Sequence, residues 1–216
     1  MNHLAHALLA GANDEMLLGS LLGDFWRGAP DPGWPAGVRD GVVLHRKIDT
    51  YTDGHPDVIA ARALFQSPWR RYAGILIDVY FDHVLACDWA RYSNESLQAF
   101  SAHTAELLGR HAAWLPADLN RFAHYFRLHG LFGAYAQRST IEQVLAGISG
   151  RLRHVNPLGD AGPVLWARAD ALDEAFARFF PNLIAYARTL RADPEVAWTS
   201  ADPTHLASDP DSPGAG

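Results

Sequence analysis

RRYAGILIDVYFDHVLACDWA, residues 70–90, decides the fold. Its apolar residues Ile75, Leu76, Val79, Tyr80, Phe81, Val84 and Leu85 cover more than one face of a helix. A helix apolar on several faces belongs inside a protein. Yet this one carries Asp78, Asp82 and His83. Asp78 and Asp82 stand four residues apart, so both carboxylates leave one helical face. Like charges at that spacing destabilise a helix, and burying them unpaired costs more. A bound cation resolves the conflict; ion pairs with arginines such as Arg70 or Arg71 are the alternative.

On either side of this stretch the pattern is helical throughout. Asn2 to Leu9 reads as a short helix with His3 and His6 near its start, broken by Gly11 and Asn13. Glu15 to Trp26 is a second helix, with Asp24 in its last turn, where the helix dipole disfavours a carboxylate and a cation, or else a pair with Arg27, would offset the cost. A Pro/Gly-rich loop, residues 29–37, leads to a third helix, Val38 to Tyr51. There His45 and Asp49 share a face, four residues apart. Pro56 opens a further helix with Asp53 as a possible cap, and Ser67-Pro68 opens the central one. Helices follow over residues 95–111, 116–129 and from Thr140, then one long helix from Asp160 to Leu190. No alternating strand pattern and no glycine-rich phosphate loop occurs. The expectation is an all-α, single-domain bundle of about eight helices over residues 1–191, with an acidic Pro/Ser/Gly-rich tail over 192–216 that cannot bury a core.

Composition narrows the function. The chain has 216 residues, 49% of them hydrophobic, enough for one sizeable core. A net charge of −6 argues against generic nucleic-acid binding. No stretch approaches the roughly 18 uninterrupted apolar residues of a membrane span. The start, MNHLAHALLAGANDEM, lacks the basic region of a signal peptide. A single cysteine, Cys87, rules out an intramolecular disulfide and fits a cytoplasmic location; on an apolar run it reads as a small core residue. Oligomeric state is left open.

Polar residues that sit badly on apolar helices concentrate in the first ninety positions: Asp24, His45, Asp49, Asp78, Asp82 and His83, with Asn2 and His6 behind them. A mixed His/Asp set without thiolate suits Mn²⁺, Mg²⁺, Fe²⁺ or Zn²⁺. Helical bundles build such sites between facing helices.

The order of these pieces resembles the acyl carrier protein phosphodiesterase family. MNHLAHALLA at the start, LLGDFWRG at 21–28, GVVLHRKIDTYTDGHP at 41–56 and RRYAGILIDVYFDHVLACDW at 70–89 carry the resemblance, with FFPNLIAY at 179–186 in weaker support. It runs to about Tyr186 and is tightest in the first ninety residues. One departure is His3, where an apolar residue is expected. The resemblance implies an all-helical fold distantly similar to HD-type metal phosphohydrolases. It also implies hydrolysis of the link between 4′-phosphopantetheine and the serine of holo acyl carrier protein, with manganese favoured.

That chemistry suits the residues, because a divalent metal neutralises a phosphodiester and activates water. Asp24, His45, Asp82 and His83 are the expected ligands. Asp49 and Asp78 are either further ligands or bases that orient the histidines and the attacking water. His6 and Asn2 either contact the phosphate or satisfy a helix start. An acidic carrier protein requires a local basic patch, for which Arg27, Arg39, Arg46, Lys47, Arg70 and Arg71 are the candidates. Trp26, Trp34 and Tyr51 are candidate walls for the pantetheine arm. Two other readings remain: an HD-like phosphohydrolase acting on a small phosphoester or nucleotide, and a non-catalytic helical binding protein whose carboxylates pair with arginine.

Overall fold

The structure, a computed structural model, describes residues 2–192. The expected tail lies outside the described residues except for Ala192. Among the described residues there are eleven α-helices and no strand. They are α1 (His3–Leu9), α2 (Asp14–Leu22), α3 (Ala36–Gly54), α4 (Pro56–Ala63), α5 (Ala73–Cys87), α6 (Leu97–Arg110), α7 (Ala117–His129), α8 (Leu131–Ala134), α9 (Arg138–Arg151), α10 (Gly162–Trp166) and α11 (Ala169–Ala192). None is long and apolar enough to cross a membrane.

Helix α5 is the central element that its sequence predicts. It packs against α1, α4, α9 and α11. Leu76, Ile77, Val79, Tyr80, Phe81 and Leu85 are all buried. Fully burying one such side chain stabilises the fold by roughly 1.5–3 kcal/mol. Phe81 meets Phe176 and Phe179 of α11 at ring-centroid distances of 5.3 and 5.9 Å. The helix is shorter than expected: residues Trp69–Tyr72 form a 3₁₀ turn, and Ser67 caps nothing. At its other end α5 emerges from the core, so Cys87 is exposed rather than buried.

Two further boundaries differ from the sequence reading. Helix α4 is capped by the His55 side chain, which accepts from the Asp57 amide, while Asp53 instead pairs with Arg62. Helix α3 therefore runs on to Gly54, through the turn expected at 52–56. The long C-terminal helix is broken into a 3₁₀ turn at Leu158–Asp160, the short α10, and α11.

Glycines bring α2 and α3 together. A Cβ on Gly19 would stand 2.0 Å from the Val38 carbonyl oxygen, and one on Gly41 would stand 2.3 Å from that of Met16. No side chain fits in either place, so the two backbones touch. This contact sets where the end of α2 meets the middle of α3, and the polar cluster forms there.

Candidate metal centre

Four side chains that the sequence marks out converge on the junction of α1, α2 and α3. His45 and Asp49 come from one face of α3, as their spacing requires. His6 comes from α1 and stacks on His45, with ring centroids 3.8 Å apart. Asp24 comes from the 3₁₀ turn Gly23–Phe25 that extends α2. Gly23 makes room for the His45 ring, since a Cβ there would lie 2.3 Å from His45 Cγ.

Asp49 bridges the two histidines. Its Oδ1 lies 3.1 Å from His6 Nε2 and its Oδ2 lies 3.2 Å from His45 Nε2. Asp24 Oδ1 approaches the same His45 Nε2 at 3.4 Å. His6, His45 and Asp49 each offer a donor atom, and these atoms lie within 4.8 Å of one another. Both histidines are buried, with 0% and 3% of their surface exposed, while the Asp24 and Asp49 side chains keep 38% and 41%. The cluster is thus closed on its imidazole side and open on its carboxylate side.

Electrostatics explains how the cluster holds together. Burial pulls His45 down, but the Asp24 and Asp49 carboxylates outweigh it and raise the imidazole to about 9. Burial lowers His6 to about 4, helped by the neighbouring His45 charge, so His6 is neutral near pH 7. Burial pushes Asp24 up, yet His3 and His45 beside it hold it well below the usual carboxylate range. Asp49 behaves likewise under His45 and His6. One proton therefore sits on His45 between two carboxylates. Meanwhile the Nδ1 atoms of His6 and His45 are buried without a hydrogen-bond partner among the described residues. Two imidazole nitrogens and carboxylate oxygens in such a setting fit a divalent ion, which would take the place of that proton.

His3 belongs to the cluster although the sequence marked it only as a departure from the family pattern and not as a site residue. Its Nδ1 lies 3.0 Å from Asp24 Oδ2. The available signal was its spacing of three residues from His6, which puts both rings on one face of α1. Ser20 of α2 fixes α1 in place by donating to the His6 carbonyl at 3.1 Å.

Asp82 and His83, expected as ligands, have other partners. Asp82 is fully buried, and its two oxygens accept from the amides of Leu4 and Ala5 at 2.8 and 3.0 Å. It satisfies the start of α1, where the helix supplies free N–H groups and a positive dipole end. Neither Arg70 nor Arg71 meets it, so the arginine alternative fails for this carboxylate as well. Burial pushes the Asp82 carboxyl up to about 7 against the pull of those two amides. His83 follows Asp82 by one residue, and neighbouring helical residues do not share a face. Its Nδ1 lies 2.8 Å from the Tyr135 carbonyl oxygen, beside Trp166 and Cys87. Asp78 lies at the edge of the cluster. Burial pushes its carboxyl up, and the nearby Asp49 charge adds to the effect.

The basic candidates divide. Arg27 is exposed, Arg39 is half-buried, and so is Lys47. Arg46 turns back to donate to the Trp26 carbonyl at 3.2 Å. Arg70 and Arg71 are exposed and, with Arg62, line a shallow surface hollow. Arg62 was not anticipated, and its charge reaches Asp78. The aromatic candidates cover other surfaces: Trp26 packs on Trp34, and Tyr51 stacks on Tyr186 with centroids 4.4 Å apart.

The family model described as Acyl carrier protein phosphodiesterase matches residues 1–183. Among curated relatives, the acyl carrier protein phosphodiesterase of Salmonella dublin is 38% identical over 191 residues, covering 87% of this chain and 97% of that protein. The enzyme of the same name from Salmonella agona is 37% identical over the same shares. No solved structure matches the chain. With a whole-domain match and relatives at this identity, the chain belongs to the acyl carrier protein phosphodiesterase family.

Proposed function

We propose that this protein hydrolyses the phosphodiester between 4′-phosphopantetheine and the serine of holo acyl carrier protein, using a divalent ion for which Mn²⁺ is favoured and Mg²⁺, Fe²⁺ or Zn²⁺ would serve. The observation that carries the reading is the His6–His45–Asp49 group, two buried histidines and a half-exposed carboxylate with donor atoms within 4.8 Å of one another, in a chain of this family. His6, His45 and Asp49 would hold the ion, with Asp24 beside His45 as a fourth donor. Bound there, the ion supplies charge neutralisation for the phosphodiester and a lowered pKa for water.

The remaining steps belong to the chain. Water attacks phosphorus, the bond from phosphorus to the serine oxygen breaks, and the serine oxygen gains a proton. Apo carrier protein and 4′-phosphopantetheine result. Asp78, with its carboxyl raised by burial beside Asp49, suits the base that takes the proton from water. His3 orients Asp24, and Asp82 holds α1, from which His6 faces α3 and His3 faces Asp24. The partly exposed carboxylates give an open mouth, as a protein substrate requires. The arginines of the α4–α5 hollow, Arg62, Arg70 and Arg71, suit an acidic partner docked next to that mouth. Cytoplasmic location follows from this substrate.

The test is intact-protein mass of holo acyl carrier protein after incubation with the enzyme and Mn²⁺. The expected result is loss of the whole phosphopantetheine mass, abolished by chelator and by His45→Ala. An unchanged carrier mass with Mn²⁺ bound to the enzyme would instead point to a small phosphoester.

A further inference from the structure

Beside the metal centre lies a cavity of about 470 Å³ between the start of α1, α7 and α9. Its wall includes His3 and Phe25, the latter next in sequence to Asp24. His3 Nδ1 is 3.0 Å from Asp24, and Asp24 is 3.4 Å from His45, so the cavity shares His3 with the polar cluster and lies against it. Its floor is apolar, built from buried Leu131 and half-buried Phe122, Val144 and Ile148. Its remaining wall carries amide and hydroxyl groups from Asn2, Gln143 and Tyr125 and the charged side chains of Asp118, Arg121 and Arg151.

We propose that this cavity receives the pantetheine arm while the phosphodiester sits at the cluster. The proposal rests on the phosphodiesterase reading above and names the subsite that reading lacks. The arm combines a gem-dimethyl carbon, two amides, a hydroxyl and a thiol. Apolar floor and polar wall match those groups in kind. The volume is within the roughly 300–1,000 Å³ of small-molecule sites. A larger cavity of about 830 Å³ lies along α6 and α7, but no residue of the cluster lines it. Of the two, only the first shares a residue with the cluster, which makes it the one for an arm attached to a phosphorus there. Trp26, Trp34 and Tyr51, the walls expected from sequence, line neither.

Gly147 of α9 supplies the test. It lines the cavity, and a Cβ there meets nothing within 4 Å, so the backbone has room for a side chain at the cavity wall. Gly109 of α6 lines the other cavity and is equally open, which makes Gly109→Trp the matched control. The full chain with Mn²⁺ is titrated calorimetrically with free 4′-phosphopantetheine, and kcat/KM on holo acyl carrier protein is measured in parallel. Gly147→Trp should weaken phosphopantetheine binding and lower kcat/KM by at least about tenfold each, with Mn²⁺ binding and thermal unfolding as in wild type. Gly109→Trp should match wild type in every readout, and the smaller Gly147→Leu serves if the tryptophan variant unfolds.

Wild-type phosphopantetheine binding in Gly147→Trp, or none in wild type, overturns the proposal. The two readings fail separately. Should wild type bind phosphopantetheine through Gly147 but leave holo carrier protein intact, the cavity stands and the reaction falls. Should holo carrier protein be cleaved with no effect of Gly147→Trp or Gly147→Leu, the reaction stands and the cavity falls.

Discussion

Asp82→Asn separates a structural carboxylate from a metal ligand. In the wild type each Asp82 oxygen accepts one amide, Leu4 at 2.8 Å and Ala5 at 3.0 Å. Asparagine has nearly the same shape but only one carbonyl oxygen. Its NH₂ must then face the other amide, leaving a buried N–H without an acceptor. Such a group costs about 1–3 kcal/mol. Losing negative charge at a helix N-terminus costs a further 0.3–1 kcal/mol or so when the carboxylate is fully ionised. Burial pushes Asp82 up to about 7, so at neutral pH only part of that second cost applies. The sum is about 2 kcal/mol, and for a chain of this size the expected fall in Tm is about 4–8 °C.

Circular dichroism melting of the metal-free protein reads the stability, and Mn²⁺ titration reads the site. The variant should melt lower yet bind the wild-type number of Mn²⁺ ions. Affinity should weaken only as far as α1, which carries His3 and His6, shifts. His45→Ala, by contrast, should lose bound Mn²⁺ outright. An Asp82→Asn protein that melts like wild type but no longer binds Mn²⁺ would refute the reasoning, because it would make Asp82 a ligand rather than the cap of α1.

Two other outcomes test the cluster. In the metal-free protein His45 titrates near 9 instead of 6.5, so the stability it lends is complete below about pH 6.5 and is lost as pH rises through 9. An ion replacing that proton should release close to one proton per Mn²⁺ at pH 7.5; His6, lowered to about 4, has none to give. Calorimetry in two buffers of different ionisation enthalpy measures the release, and a value near zero would remove His45 from the ligand set. Gly23→Ala places a Cβ 2.3 Å from His45 Cγ, so it should cost about 1–3 kcal/mol of stability. It should also weaken Mn²⁺ binding, whereas Gly54→Ala, which meets open space, should do neither; equal Mn²⁺ affinity in the two variants would show that Gly23 does not position the ring.

What sequence could and could not reveal follows from the range of each interaction. The burial of α5 was legible because seven apolar residues on several faces leave a helix no solvated side. The His45–Asp49 pair was legible because four residues along a helix is a local distance. Asp82 and His83 were grouped as ligands, although adjacent residues of a helix point about 100° apart, which makes them poor joint ligands for one ion. The partners of Asp82 were out of reach, being backbone amides 77 and 78 residues away that carry no side-chain signal.

The convergence of α1, α2 and α3 depends on a similar silence. Gly19, Gly23 and Gly41 act by what they lack, and their role appears only once the opposing backbone is in place. The sequence reading took Asp24 as a carboxylate at an unfavourable helix end and inferred a cation to offset it. The structure supplies that offset as well from inside the chain, through His3 and His45. Both accounts are compatible, because a protonated His45 and a bound ion meet the same need at the same place. If the cluster takes the proposed ion, the proton that His45 shares with the two carboxylates is the one the ion would displace. Metal affinity and pH should therefore be linked through His45 more than through any other residue of the site.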